Sequence, residues 1–291
     1  METLRVGDLL LEFALTGPRV TGLRVADGRN LFASLPGVVI ERGSGAPFRF
    51  LGGHRLWRAP EVPAVTYAPD DEPVTFERGD VWLHARGAPD PDGIVREMRA
   101  GGDGGFVSID HRLINVGREP VETAPWSITQ LPADGTAVMP LTAPPVDGEP
   151  YQANRAVALW PYTDLGAPGL AWSRDAVVVR GSAGPMQKIG TENRTGWLAY
   201  LHDGWLFAKW GPIHDPHLAY ADRGASAQIY RDHRVIELEI LGPLERLEPG
   251  GVAEHREWWR VLPVGEIAAE DVEPVVFGLV AGLEAPNDGS P

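Results

Sequence analysis

Short segments of apolar alternation or β-branched runs follow one another along this chain, separated by Gly, Pro and Asp. A period of two suits a half-buried strand, because successive side chains point to opposite faces of a sheet. Helical periodicity is almost absent. The pattern predicts strands over residues 9–15, 20–25, 74–77, 81–86, 105–115, 121–131, 176–180, 196–201, 205–210, 225–230, 235–241 and 252–262. Asp27-Gly28 and His202-Asp203-Gly204 fall between such runs, where glycine supplies the positive φ of a hairpin turn. Meandering antiparallel hairpins, in an all-β sandwich or barrel, are the expected architecture. No repeat of fixed period is present, which argues against a propeller with blades of about 40–50 residues.

The 27 prolines and 35 glycines are spread along the chain, and no composition shift divides it. Residues 1–291 therefore read as one domain. Residues 141–150, "LTAPPVDGEP", read as a long loop, and the tail "EAPNDGSP" at 284–291 is expected to fray. The segment 268–283, "AAEDVEPVVFGLVAGL", reads as a short terminal helix with Pro274 near its start.

Composition narrows the function. Apolar residues at 43% and charged residues at 23% are near globular averages, so a folded core is expected. The formal net charge of −14, with no block of Lys and Arg against it, disfavours nucleic acid and anionic membrane surfaces. A neutral small molecule fits more easily. The absence of cysteine removes disulfides, thiolate metal sites and cysteine nucleophiles. Asp8 and Glu12 interrupt the apolar N-terminus, no cleavage pattern follows, and no run approaches the roughly 18 apolar residues of a membrane span. A soluble, cytoplasmic protein is expected, with its oligomeric state open.

Four segments hold candidate chemistry. In "FLGGHRLWRAPE", residues 50–61, a glycine turn precedes His54, Arg55, Trp57, Arg58 and Glu61. Histidine exchanges a proton near neutral pH, arginine clamps hydroxyls or carboxylates, and tryptophan offers a face on which a sugar ring stacks. The same residues also suit a structural corner, with an arginine paired to Glu61. In "MQKIGTENRTGWLAYLHDGWLFAKW", residues 186–210, Lys188 lies in an apolar or small context just before a loop and two strands. Lys209, ending an aromatic strand, reads as a snorkelling edge lysine. In "VIELEILGPLERLEPGG", residues 235–251, alternation puts Glu237 and Glu239 on one face, with Gln228 and Tyr230 as neighbours from the preceding strand. On an open face both glutamates would meet water; in a cleft one becomes a candidate base. In "WGPIHDPHLAYADRG", residues 210–224, His214, Asp215 and His217 are close, yet Pro216 lies between the histidines and no third ligand is near. A loop rimming a cleft is favoured there over a metal site. Neither a phosphate-binding P-loop nor a G-x-S-x-G elbow is present.

The blocks "GGHRLWRAPE" (52–61), "HRLINVGREPVETAPWSITQL" (111–131), "LWPYTDL" (159–165), "KIGTENRTGWLAYL" (188–201) and "ELEILGPLERLEPGGVAEHREWW" (237–259) span most of the chain. In order and spacing they resemble the galactose mutarotase-like superfamily, which includes the aldose 1-epimerases. The resemblance implies a β-supersandwich of antiparallel sheets with a carbohydrate on its concave face; no metal, dinucleotide or other cofactor is suggested by the sequence. It also implies that Glu237 is a base, with Glu239 its rival, and that Arg55 binds the sugar. Where those epimerases carry a histidine after the N-x-G-x-x-P strand, this chain reads Pro125-Trp126-Ser127. His54 or Lys188 is then the candidate acid, and Trp57, Glu61, Trp126 and Glu239 complete the binding set. The alternatives are a carbohydrate-binding protein without catalysis, or a lyase or hydrolase step on the same scaffold.

Overall fold

The glycine pair at the start of "GGHRLW" lies within a strand. A computed structural model describes residues 1–41, 46–103, 105–143, 151–181 and 184–283, and in it Phe48–Ala59 is one twelve-residue strand. Gly52 and Gly53 have φ of 88° and 76°. A Cβ on Gly52 would lie 2.0 Å from the Ala33 carbonyl oxygen, and one on Gly53 2.1 Å from that of Val20. Both positions therefore need glycine, for conformation and for close approach. The expected turn is instead the irregular part of a central strand.

Two antiparallel sheets hold nearly all the regular structure. The first runs in the order Glu2–Val6, Leu9–Phe13, Arg19–Arg24, Phe48–Ala59, Val121–Pro132, Val235–Leu241, Ala227–Arg231, Gln187–Thr191 and Val157–Leu159. Ser34–Ile40 joins it on Phe48–Ala59, and Glu245–Leu247 on Val121–Pro132. The second runs Leu170–Trp172, Ala176–Arg180, Thr136–Pro140, Trp197–His202, Trp205–Trp210, Val252–Pro263, Phe106–Asn115, Ile94–Asp103, Leu83–Arg86 and Thr75–Arg78. Leu11, Phe13, Leu23, Phe207, Leu238 and Trp259 fill the space between the sheets. This is a β-supersandwich: alternation predicts the all-β class, and the family resemblance implies this form of it.

Some boundaries differ. Ser34–Ile40, Ile94–Asp103, Thr136–Pro140 and Gln187–Thr191 are strands that alternation does not predict. Gly101 and Gly102 belong to Ile94–Asp103. Lys188 sits within Gln187–Thr191, a strand that is followed, as expected, by a loop and the two strands Trp197–His202 and Trp205–Trp210. The terminal helix covers Val272–Ala281 and packs Val272, Val276 and Val280, spaced by four, against the second sheet near Trp197 and Trp210. Residues 144–150 of the expected loop and the tail 284–291 lie outside the described residues. Among the described residues no helix is long and apolar enough to cross a membrane.

Candidate functional site

Strand register gathers polar side chains on the outer face of the first sheet. Gly53 pairs with Gln130, Gln130 with Glu237, Glu237 with Tyr230, and Tyr230 with Lys188. The next row on this face is Arg55, Ile128, Glu239 and Gln228, and a third contains Trp57, Trp126 and Leu241. Over these rows lies a cavity of about 210 Å³, lined by Trp57, Glu61, Tyr67, Trp126, Gln130, Tyr162, Lys188, Tyr230, Asp232, Arg234 and Glu237 with a few apolar neighbours.

The polar groups are linked in pairs. Gln130 Nε2 donates to Glu237 Oε1 at 2.6 Å. Beneath it, the buried Arg55 guanidinium donates to the Phe50 carbonyl and, at 3.4 Å, to Gln130 Oε1. It also stacks over Trp57 at 4.8 Å. Glu239 is 0% exposed; its Oε2 accepts from Lys188 Nζ at 2.8 Å and Trp126 Nε1 at 2.7 Å. Lys188 Nζ lies 4.8 Å from the Trp126 ring and 4.9 Å from that of Trp160. At the rim the Tyr67 hydroxyl donates to Glu61 Oε1 at 2.7 Å.

These surroundings set the protonation. Burial, and then the charge of Glu239, push the Glu237 carboxyl up to about 7, against the pull of Gln130, Lys188 and Arg55. Glu237 thus holds or releases a proton near neutrality, as a general base requires. Burial also raises Glu239, while Lys188 and Trp126 oppose it. The phenols of Tyr67, Tyr162 and Tyr230 are raised, chiefly by burial, and remain hydroxyl donors.

Solved structures share this architecture. A galactose mutarotase-like protein from Lactobacillus casei ATCC 334 has 10% identity and a TM-score of 0.54, over 90% of this chain and 100% of that one. A galactose mutarotase related enzyme from Lactobacillus acidophilus has 7% identity and a TM-score of 0.54, over 92% and 99%. Galactose 1-epimerase from Lactobacillus acidophilus NCFM has 10% identity and a TM-score of 0.50, over 90% and 94%. This chain has the galactose mutarotase-like fold. No family model matches the sequence, and no curated protein does.

On this mutarotase-like frame, Trp57, Glu61, Trp126, Lys188 and Glu237 line the cavity, and Glu239 and Arg55 form the layer beneath. His54 does not join them. It precedes Arg55 in one strand, so its side chain takes the opposite face and is buried between the sheets. There its Nε2 lies 2.8 Å from His111 Nε2 and its Nδ1 2.9 Å from Thr129 Oγ1.

Lys209 is a buried lysine and not the snorkelling edge residue expected. It is 0% exposed, pairs with Glu257 at 2.8 Å, and lies 3.3 Å from Thr129 Oγ1. Burial pushes His111 down to about 3 and His54 well below its usual value, so both rings are neutral. His111 Nδ1 faces the His255 carbonyl, which only accepts, at 3.1 Å. A neutral His111 must then accept at Nε2 from His54, which in turn accepts at Nδ1 from Thr129. Glu257 also receives Ser127 and, at 3.1 Å, Trp259 Nε1. Burial alone would raise Glu257, but Lys209 and His255 hold it well below the usual carboxylate range.

Gln130, Tyr162, Asp232 and Arg234 line the cavity without having been singled out in the sequence. Gln130 had a signal: it lies four residues beyond Trp126 and so shares its face. His214 bonds Ser226 at 3.0 Å and stacks on Tyr220. A larger depression of about 800 Å³ on the outer face of the second sheet is crossed by ion pairs, with Glu97 and Glu254 on Arg112 and Asp110 on Arg256. Its acids are neutralised locally, whereas Glu237 and Glu61 at the smaller cavity bond neutral donors.

Proposed function

We propose that the 210 Å³ cavity binds a single sugar ring and that Glu237 and Lys188 act on it as base and acid, in an aldose 1-epimerase-like isomerisation. The observation that carries this reading is that both residues stand in one register row, two strands and so about 10 Å apart at the backbone, over one aromatic-walled cavity. The volume falls below the roughly 300–1,000 Å³ of pockets for drug-sized ligands, which favours one ring over a chain. Trp57 and Trp126 offer apolar faces for stacking. Glu237 would take the proton of the anomeric hydroxyl while Lys188 protonates the ring oxygen, so the bond from that oxygen to the anomeric carbon breaks. Rotation and reclosure on the other face return both protons. Fold neighbours named as a galactose mutarotase-like protein, a galactose mutarotase related enzyme and a galactose 1-epimerase support a sugar reaction on this scaffold.

Binding without turnover is the second reading. It is favoured by the engagement of Lys188 with Glu239, and by a tryptophan at 126 where the resemblance expects a histidine. Anomeric exchange followed by NMR over a panel of aldoses tests both. Acceleration by the wild type, reduced about 10²–10⁴-fold in Glu237→Gln, is the expected outcome. Binding without acceleration would leave only the second reading, and absence of any binding would overturn both.

A further inference from the structure

The charges around this cavity do not balance. Its two lining cations are already paired: Lys188 Nζ lies 2.8 Å from Glu239, and Arg234 meets Asp232 through two nitrogens at 2.5 and 2.8 Å. Among the described residues, two lining carboxylates bond only neutral donors, Glu237 the Gln130 amide and Glu61 the Tyr67 hydroxyl. Arg55, under the floor, reaches Glu237 only through Gln130. Asp222, on the Gln228 amide at 2.8 Å, adds negative charge from the side, while Arg19 and Asp70 pair with each other. The acids Glu61, Asp222, Asp232, Glu237 and Glu239 thus face the cations Arg55, Lys188 and Arg234. An anionic ligand would worsen the excess, and a neutral one would leave it.

The walls favour the same sign. Tyr67, Tyr162 and Tyr230 line the cavity, and among the described residues no cation lies over any of their rings. The negative face of an aromatic ring attracts an ammonium group, and aromatic walls beside carboxylates are a general solution for binding one. Glu237 is half-buried without a direct counter-ion, and its carboxyl, pushed up to about 7, agrees with a charge that the ligand would complete.

We infer that the cavity takes a sugar bearing a primary ammonium group, with Glu237, Glu61 and the tyrosine faces receiving the cation. The inference rests on the sugar-site reading above and narrows its substrate class to amino sugars. It is tested by calorimetric titration of the full chain, at fixed pH and ionic strength, with D-glucosamine, D-galactosamine and D-mannosamine. Each is compared with its parent hexose and its uncharged N-acetyl derivative. At least one amino sugar is expected to bind about tenfold more tightly than both of its counterparts, as one added charge-assisted hydrogen bond would give. Glu61→Gln, a rim substitution outside the core, and Glu237→Gln should each narrow that preference. Equal affinity for hexose and amino sugar would overturn the inference and leave the sugar site standing. Preference that survives both substitutions would overturn the assigned residues. Silence from every sugar would overturn the sugar site, and the inference with it.

Discussion

Two polar clusters stand back to back across the strands Phe48–Ala59 and Val121–Pro132, and they treat charge differently. One side carries Arg55, Trp57, Trp126 and Gln130 toward the cavity; the other carries His54, Ser127 and Thr129 into the space between the sheets. Inside, Glu257 has Lys209, Ser127 and Trp259 around it. At the cavity, Glu237 has a single amide donor among the described residues. A buried carboxylate with its full set of partners holds a fold together, whereas one without a counter-ion is poised for a proton or a ligand.

The largest expected contrast is in stability. Glu257→Gln or Lys209→Met leaves the other charge buried and unpaired, which should cost about 3–5 kcal/mol in denaturant unfolding. Replacing both by apolar residues should recover much of that loss. Glu237→Gln is expected to keep or raise stability at pH 8, because folding already disfavours its charge. If it fell as far as Glu257→Gln, the two clusters would not differ as described.

The pH dependence of stability should carry opposite signs from the two sides. His54 and His111 titrate lower folded than unfolded, so their contribution is present above about 6.5 and lost as pH falls toward the value of about 3 for His111. Each contributes up to about 1.4 kcal/mol per pH unit in that window. Glu237 titrates higher folded than unfolded, so its contribution is present below about 4.5 and lost between there and about 7. Unfolding free energies measured from pH 4.5 to 6.5 should therefore rise less steeply in a His54→Gln, His111→Gln double variant, and more steeply in Glu237→Gln. The smallest expected effect is on ligand affinity: His54→Gln should lower stability yet leave sugar binding nearly unchanged, since its side chain is on the far face. A large loss of affinity without loss of stability would put His54 back in the site.

How much of this is legible in the sequence follows from parity. Alternation in "ELEIL" is unbroken, so Glu237 and Glu239 share a face in sequence and structure alike. In "FLGGHRLW" the glycine pair looks like a turn, which hides the alternation that sets His54 opposite Arg55 and Trp57. Trp57 and Trp126 are offered by the sequence as candidate stacking surfaces, but their pairing comes from register between strands far apart in the chain. Lys209 shows the same limit. Its partner Glu257 lies on another strand, and "FAKW" alone gives no sign of a buried counter-ion.

The most direct test of the division between the two faces is a titration of ¹⁵N-labelled indoles with a bound sugar. Trp57 and Trp126 line the cavity, while Trp259 Nε1 bonds Glu257 inside. The Trp57 and Trp126 signals should shift with sugar concentration while the Trp259 signal stays in place. Movement of Trp259 with Trp57 and Trp126 unchanged would mean that the ligand site is the interior cluster and not the cavity over Glu237.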